Sequence, residues 1–146
     1  MSDDKGKNDK PKKNEPGKEW SFLQAEYELG YAITRRDPQF GIELLEHNLA
    51  YVRNGAWMAL GKIKDVELLK TLIQQRAANP DKPHFRHAAY RAIDNMLITL
   101  EYEGNQDDLA ALRNFLPQVE DAATQDRIQW TIYQLEYRCE RLKSCE

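Results

Sequence analysis

Two stretches of this chain repeat one another 33 residues apart, and no other feature constrains the fold as tightly. Laying VRNGAWMALGKI (52–63) over FRHAAYRAIDNM (85–96) puts Arg53 on Arg86, Ala56 on Ala89, Trp57 on Tyr90, Ala59 on Ala92 and Leu60 on Ile93. Within both stretches the apolar positions recur at the spacing of an amphipathic helix. The small residues Ala56, Ala59, Ala88, Ala89 and Ala92 sit on the predicted core faces, where they let neighbouring helices approach closely. A helical unit that cannot bury its apolar face alone must stack on a copy of itself. The chain is therefore expected to be all-α.

From Trp20 onward every apolar pattern has the helical period and none alternates as a strand does. A first helix is predicted over Trp20–Arg36, with Phe22, Leu23, Tyr27, Tyr31 and Ile33 as its apolar residues. Asp37-Pro38 reads as an N-cap and first-turn proline, opening a helix whose apolar side holds Phe40, Leu44, Leu45 and Leu49. A break near Asn48 precedes the 52–63 helix, where Gly61 is expected to form a left-handed cap. Asp65 caps VELLKTLIQQ, closed by Asn79-Pro80, and Pro83 opens a long helix ending at Gly104. Asn105 starts LAALRNFLPQV, with Asp107 and Asp108 in its first turn, and Asp121 leads into a final helix over 124–142. The last helix matches the repeat less well: Trp130 falls on Tyr90 at a spacing of 40 residues, and Arg127 is displaced by one.

Residues 1–19 stand apart. They hold six Lys and five acids and no aromatic or β-branched residue, so they are expected to form a disordered charged tail. The formal charge of the whole chain is −3, and residues 20–146 carry 15 basic and 19 acidic side chains, a net of −4. An acidic body disfavours nucleic acid as a partner. No apolar run is long enough to span a membrane, and the N-terminus lacks the apolar stretch of a secretory signal. The two cysteines, Cys139 and Cys145, give no disulfide framework, and six residues apart near a fraying terminus they are expected to stay unlinked. Cys139 is expected to be buried and inert, and a reducing cytoplasm follows as the expected location.

A two-helix unit of this length with V-R-x-x-A-x-x-A-L-G in its second helix, as residues 52–61 carry it, resembles the HEAT repeats. The resemblance is strongest to the HEAT-like variety found in phycobilin-lyase-type and other bacterial repeat proteins. It covers about 38–142, with 48–63 as the best-matching unit. It implies a short α-solenoid of about three stacked helical hairpins over residues 20–146, with the first helix as a cap. The Asp usual before the repeat Arg is absent from the first unit, where Asn48 is nearest, while Asp81 lies five residues before Arg86.

The candidate binding residues are Arg53, Trp57, Arg86, Tyr90, Trp130, Tyr133 and Tyr137. Arg53-Trp57 and Arg86-Tyr90 are i,i+4 pairs, so each guanidinium is expected against the ring on its own helix. Such pairs serve either as an internal ladder between hairpins or as a ligand surface. In the final helix Ile128, Ile132, Leu135, Cys139 and Leu142 form one apolar stripe, and Trp130, Tyr133 and Tyr137 lie opposite it. Terminal repeats need a polar outer face, so these rings are expected either to pack on the preceding repeat or to be covered by a partner protein, a second copy of the chain or further repeats. His84 and His87 form an H-x-x-H without a third ligand, so no metal site is expected. Glu101, Glu103, Asp107 and Asp108 form an acidic patch, read as a solvated loop or a docking site for a basic partner.

No nucleotide-binding or nucleophile motif occurs, and neither a catalytic role nor a cofactor is expected. The pattern points to a non-catalytic protein–protein interaction scaffold, as a module of a larger bacterial assembly. Its partner is expected to be a protein, or a second copy joined through the C-terminal helix. Two alternatives come from the resemblance alone: a nucleic-acid-binding or DNA-repair-type repeat protein with Arg53, Arg86, Arg91 and Arg127 lining one face, and a lyase-like role on a small molecule.

Overall fold

The computed structural model describes residues 18–145, and within them the chain is all-helical. The helices are α1 (Lys18–Arg36), α2 (Pro38–Leu44), α3 (Ala50–Gly61), α4 (Val66–Ala78), α5 (Pro83–Glu103), α6 (Gln106–Phe115) and α7 (Ala122–Glu136). A short 3₁₀ turn, Leu116–Gln118, follows α6, and a π-helical turn, Tyr137–Arg141, extends α7. Residues 1–17 of the expected tail lie outside the described residues, and Lys18 and Glu19 already belong to α1. No described helix is long and apolar enough to cross a membrane.

The helix starts follow local side-chain chemistry. Asp37 Oδ1 accepts the Phe40 amide at 3.1 Å, and Pro38 occupies the first turn, where no amide is needed. Asp65 Oδ1 accepts the amides of Glu67 and Leu68 at 2.9 and 3.1 Å. Asn105 and Asp108 form a reciprocal capping box, each bond 2.9 Å long. Asp121 accepts from Thr124 through both hydroxyl and amide, and these bonds hold its carboxyl below the usual carboxylate range.

The ends are less regular than the periodicity predicts. Helix α2 stops at Leu44, so Leu45 is buried from the following turn, while Phe40 and Leu49 are exposed and contribute nothing to the core. Gly61 remains helical instead of forming a left-handed cap: Lys62 ends α3 in right-handed geometry, and no described glycine has a positive φ. Gly61 is small for a different reason. Asn95 of α5 packs where its Cβ would lie, and Thr99 Oγ1 donates to its carbonyl at 2.7 Å.

Helices α1, α3, α5 and α7 pack successively against one another, and α4 contacts both α5 and α6 beside them. Contacting residues advance together along α3, α5 and α7: Trp57 of α3 meets Arg91 of α5, one turn before the next pair. Gly61 meets Asn95 and Thr99, Arg127 meets Asp94, and Leu135 lies against Gly104. These three helices therefore run parallel, and one apolar core continues from Ile42 through Leu69, Phe85 and Met96 to Leu112 and Leu135. Helix α1 crosses α3 at two reciprocal glycines. A Cβ on Gly30 would fall on the Val52 carbonyl, and one on Gly55 would fall on the Tyr27 carbonyl.

Above that crossing, Gly41 of α2 sits on the side chain of Thr34. Thr34 is fully buried, and its hydroxyl has no hydrogen-bond partner among the described residues. A buried hydroxyl left unpaired costs about 1–3 kcal/mol. Thr34→Val keeps the shape and removes the polar atom, so it is expected to raise stability by about 1 kcal/mol in urea unfolding. Unchanged or lower stability would mean that the hydroxyl is satisfied in solution.

The C-terminus departs furthest from expectation. Cys139 and Cys145 are joined by a disulfide, with their Cα atoms 4.8 Å apart, where the spacing predicts two unlinked cysteines. Beyond the π-helical turn the chain folds back: the Ser144 amide donates to the Arg138 carbonyl at 2.9 Å, and Lys143 takes a positive φ of 54°. This reversal carries Cys145 back over Cys139. It also leaves Leu142 exposed, outside the core stripe it is predicted to extend. Closing so short a loop restricts the unfolded chain by about 2 kcal/mol. With the bond formed, the two cysteines no longer point to a reducing compartment.

Candidate functional site

The apolar stripe of α7 is buried at Ile128, Ile132, Leu135 and Cys139, which fixes the rotation of the helix. Trp130, Tyr133 and Tyr137 consequently face outward, 53%, 65% and 53% exposed. They share one flank with Arg141, whose guanidinium lies 5.9 Å from the Tyr137 ring centre. On the adjacent flank Arg113 of α6 bridges Glu136 at 2.5 Å and Glu140 at 3.4 Å. The hydrogen bond that Arg113 donates to Glu136 raises the Arg113 pKa. A shallow depression runs between the rings and these charges, bounded by Tyr133, Glu136, Tyr137 and Arg141.

The rotation of α7 is further locked by a polar cluster on its α5 side. Arg127 donates to Asp94 at 3.0 Å, to Glu101 at 2.8 Å and to the Thr131 hydroxyl at 2.7 Å, and Thr131 donates in turn to Glu101 at 2.7 Å. Burial would depress the Arg127 pKa, but the bonds to Glu101 and Asp94 outweigh it and raise it. Arg138 then reaches back to the C-terminal end of α5, donating to the carbonyls of Glu101 at 3.0 Å and Gly104 at 2.6 Å. The expected acidic patch is thereby divided. Glu101 belongs to the Arg127 cluster and Asp108 to the α6 cap and to Lys64, 3.4 Å away.

The i,i+4 stacking predicted for the repeat arginines does not form. Arg53 Nη1 donates instead to the His47 carbonyl at 2.7 Å, and Arg86 Nη1 to the Arg76 carbonyl at 2.6 Å. Each repeat Arg thus ties the start of its helix to the backbone just before it. A carbonyl oxygen at a helix end or turn, with a lone pair to spare, offers a stronger acceptor than a ring face. The rings take other cations. Arg91 lies 5.2 Å from the Trp57 ring centre and Arg76 lies 5.6 Å from that of Tyr90. Trp57 and Tyr90 do come together, on a shallow groove shared with Met58, His87, Arg91 and Asp94. Trp57 is half-buried against the core and donates from Nε1 to Asn54 at 3.1 Å, whereas Tyr90 is exposed.

His84 and His87 are both exposed, and among the described residues no three His, Cys, Asp or Glu side chains converge as metal ligands would. Arg76, Arg113 and Arg138 escape the repeat pattern, because each acts across helices rather than along its own. The candidates divide into three groups: the α7 ring face, the Trp57–Tyr90 groove, and two arginines turned to backbone. Comparison with family models, with curated proteins and with solved structures gave no match.

Proposed function

We propose that the chain is a non-catalytic protein-interaction scaffold, a short HEAT-like α-solenoid whose contact surface is the outward face of α7. One observation carries this reading: Trp130, Tyr133 and Tyr137 stand together in water on the last helix, opposite its buried stripe. Trp, Tyr and Arg supply most of the energy of protein interfaces. Here Arg141 stands beside the rings, and the Arg113–Glu136–Glu140 group forms a charged rim. The parallel succession of α3, α5 and α7 and the 33-residue repeat support the solenoid reading, because each unit buries its face on the next. The protein contacted is read as a partner chain or a second copy.

The nucleic-acid alternative draws less support. Of the four arginines expected to line a basic face, Arg127 is engaged by two carboxylates and Arg91 lies over the Trp57 ring, so they form no continuous basic stripe. The lyase-like alternative rests on no residue of the site.

The test is Trp130→Ala with Tyr137→Ala, read by sedimentation velocity over a concentration series and by co-purification from the native host. The double variant is expected to weaken association about a hundredfold or more while its circular dichroism stays unchanged. A wild-type chain that remains monomeric and partnerless at high concentration would overturn the proposal.

A further inference from the structure

A second surface, built from different residues, lies between α4, the start of α5 and the segment leading into α7. The groove there has a volume of about 580 Å³, within the range of small-molecule sites; Ala77, Ala78 and Pro80 are its exposed apolar lining, and Ile73 and Ile93 border it with their last 9% and 8% of exposed surface. Arg76 and Arg86 both reach it. They are cross-tied through backbone: Arg76 Nε donates to the Arg86 carbonyl at 3.0 Å, and Arg86 Nη1 to the Arg76 carbonyl at 2.6 Å. These bonds anchor each side chain to the other residue's backbone and use one N–H of each, while the Arg76 guanidinium also lies over the Tyr90 ring.

Among the described residues no carboxylate forms an ion pair with either arginine. The acids at the groove are Asp121, which caps α7 through Thr124, and the exposed Glu120. Burial first and the neighbouring Arg86 charge second lower the Arg76 pKa, and the Asp121 carboxylate only partly offsets them, so two like charges are held close against repulsion and partial desolvation. An anion arriving between them would relieve both costs. The two acids at the rim favour a single negative charge over a doubly charged phosphate, and a planar carboxylate matches the guanidinium fork.

We propose that this groove binds a carboxylate carried on an apolar body, its oxygens clasped by Arg76 and Arg86 and its hydrocarbon laid against Ala77 and Pro80 and the exposed edges of Ile73 and Ile93. A free aliphatic acid and the C-terminal carboxylate of a peptide ending in an apolar residue share this chemistry. The site does not depend on the α7 face, and either surface can fail without the other.

The experiment is an NMR titration of the ¹⁵N-labelled full chain, following the Arg Nε–H signals and the backbone amides of 73–86 and 115–124. The probes are octanoate, octanol, inorganic phosphate, and a leucine-terminated tripeptide with a free or amidated C-terminus. Octanoate or the free-acid tripeptide is expected to saturate these shifts at millimolar concentrations or below, and the tighter of the two identifies the source. Octanol and the amidated tripeptide are expected to bind at least about tenfold more weakly, because they lack the charge that the arginines recognise. Arg86→Gln, which removes the charge and keeps an uncharged N–H donor on a shorter side chain, is expected to weaken octanoate by about tenfold. If that variant does not fold, the wild-type comparison of octanoate with octanol decides. Equal binding of acid and neutral twin, arginine shifts with phosphate alone, or no shift with either acid at millimolar concentration would overturn the proposal.

Discussion

Gly55→Ala is expected to lower stability by about 2–3 kcal/mol and the thermal midpoint by roughly 10 °C, although it adds only a methyl group. On an isolated helix the same change would be favourable, since alanine is the better helix former by about 1 kcal/mol. The sign reverses because of what lies opposite. A Cβ at Gly55 meets the backbone of Tyr27 and the amide of Tyr31, so no side-chain rotamer can move aside. Relief requires α1 to slide or lift from α3, and the reciprocal contact of Gly30 with Val52 resists any such shift. Gly30→Ala should behave similarly. The pair should cost less than the sum of the singles, because the first substitution already separates the helices. Thermal unfolding followed by circular dichroism measures all three. A midpoint at or above that of the wild type for Gly55→Ala would show that the crossing has slack.

That crossing illustrates what periodicity conveys and what it leaves out. Asp37, Asp65, Asn105 and Asp121 were readable as helix starts because a cap bonds amides two or three residues along the same chain. The stripes of α5 and α7 were readable because burial follows the helical period, as Phe85, Ala89, Ile128 and Ile132 show. The glycines were different. Their role depends on which backbone lies opposite, and Gly61 looks the same in sequence whether it ends a helix or admits Asn95. Arg53 and Arg86 misled for a related reason. An i,i+4 ring was available on the same helix, but a nearby carbonyl outcompeted it. In the candidate surfaces, Trp130, Tyr133 and Tyr137 could be grouped by helical angle alone. The Arg76–Arg86 groove could not, because ten residues and a helix–helix turn separate its two cations. The disulfide was hidden in the same way, since a regular continuation of α7 would keep Cys139 and Cys145 apart, and only the reversal after the π-helical turn joins them.

Arg127→Met is the second substitution expected to have a large effect, and it tests how α7 is held with its rings outward. Removing the guanidinium leaves Glu101, whose side chain is only 14% exposed, with the Thr131 hydroxyl as its remaining partner in the cluster. Stranding one member of a fully buried ion pair costs about 3–5 kcal/mol, and the partial exposure here reduces that to about 2–3 kcal/mol. Asp94 loses its partner as well, but at 40% side-chain exposure it can be rehydrated at little cost. Most of the penalty should therefore come from Glu101 and not from the lost attraction. Adding Glu101→Leu to Arg127→Met removes the stranded charge, and the double variant is expected to return to within about 1 kcal/mol of the wild type. Thr131 retains its bond to the carbonyl of residue 127 at 3.3 Å, so its hydroxyl is not orphaned by the double change. Denaturant unfolding of the two single variants and the double completes the cycle. A double variant as unstable as Arg127→Met alone would mean that the guanidinium acts chiefly through packing. Full recovery would instead show that the cluster holds the register of α7 on α5 with little net contribution to stability.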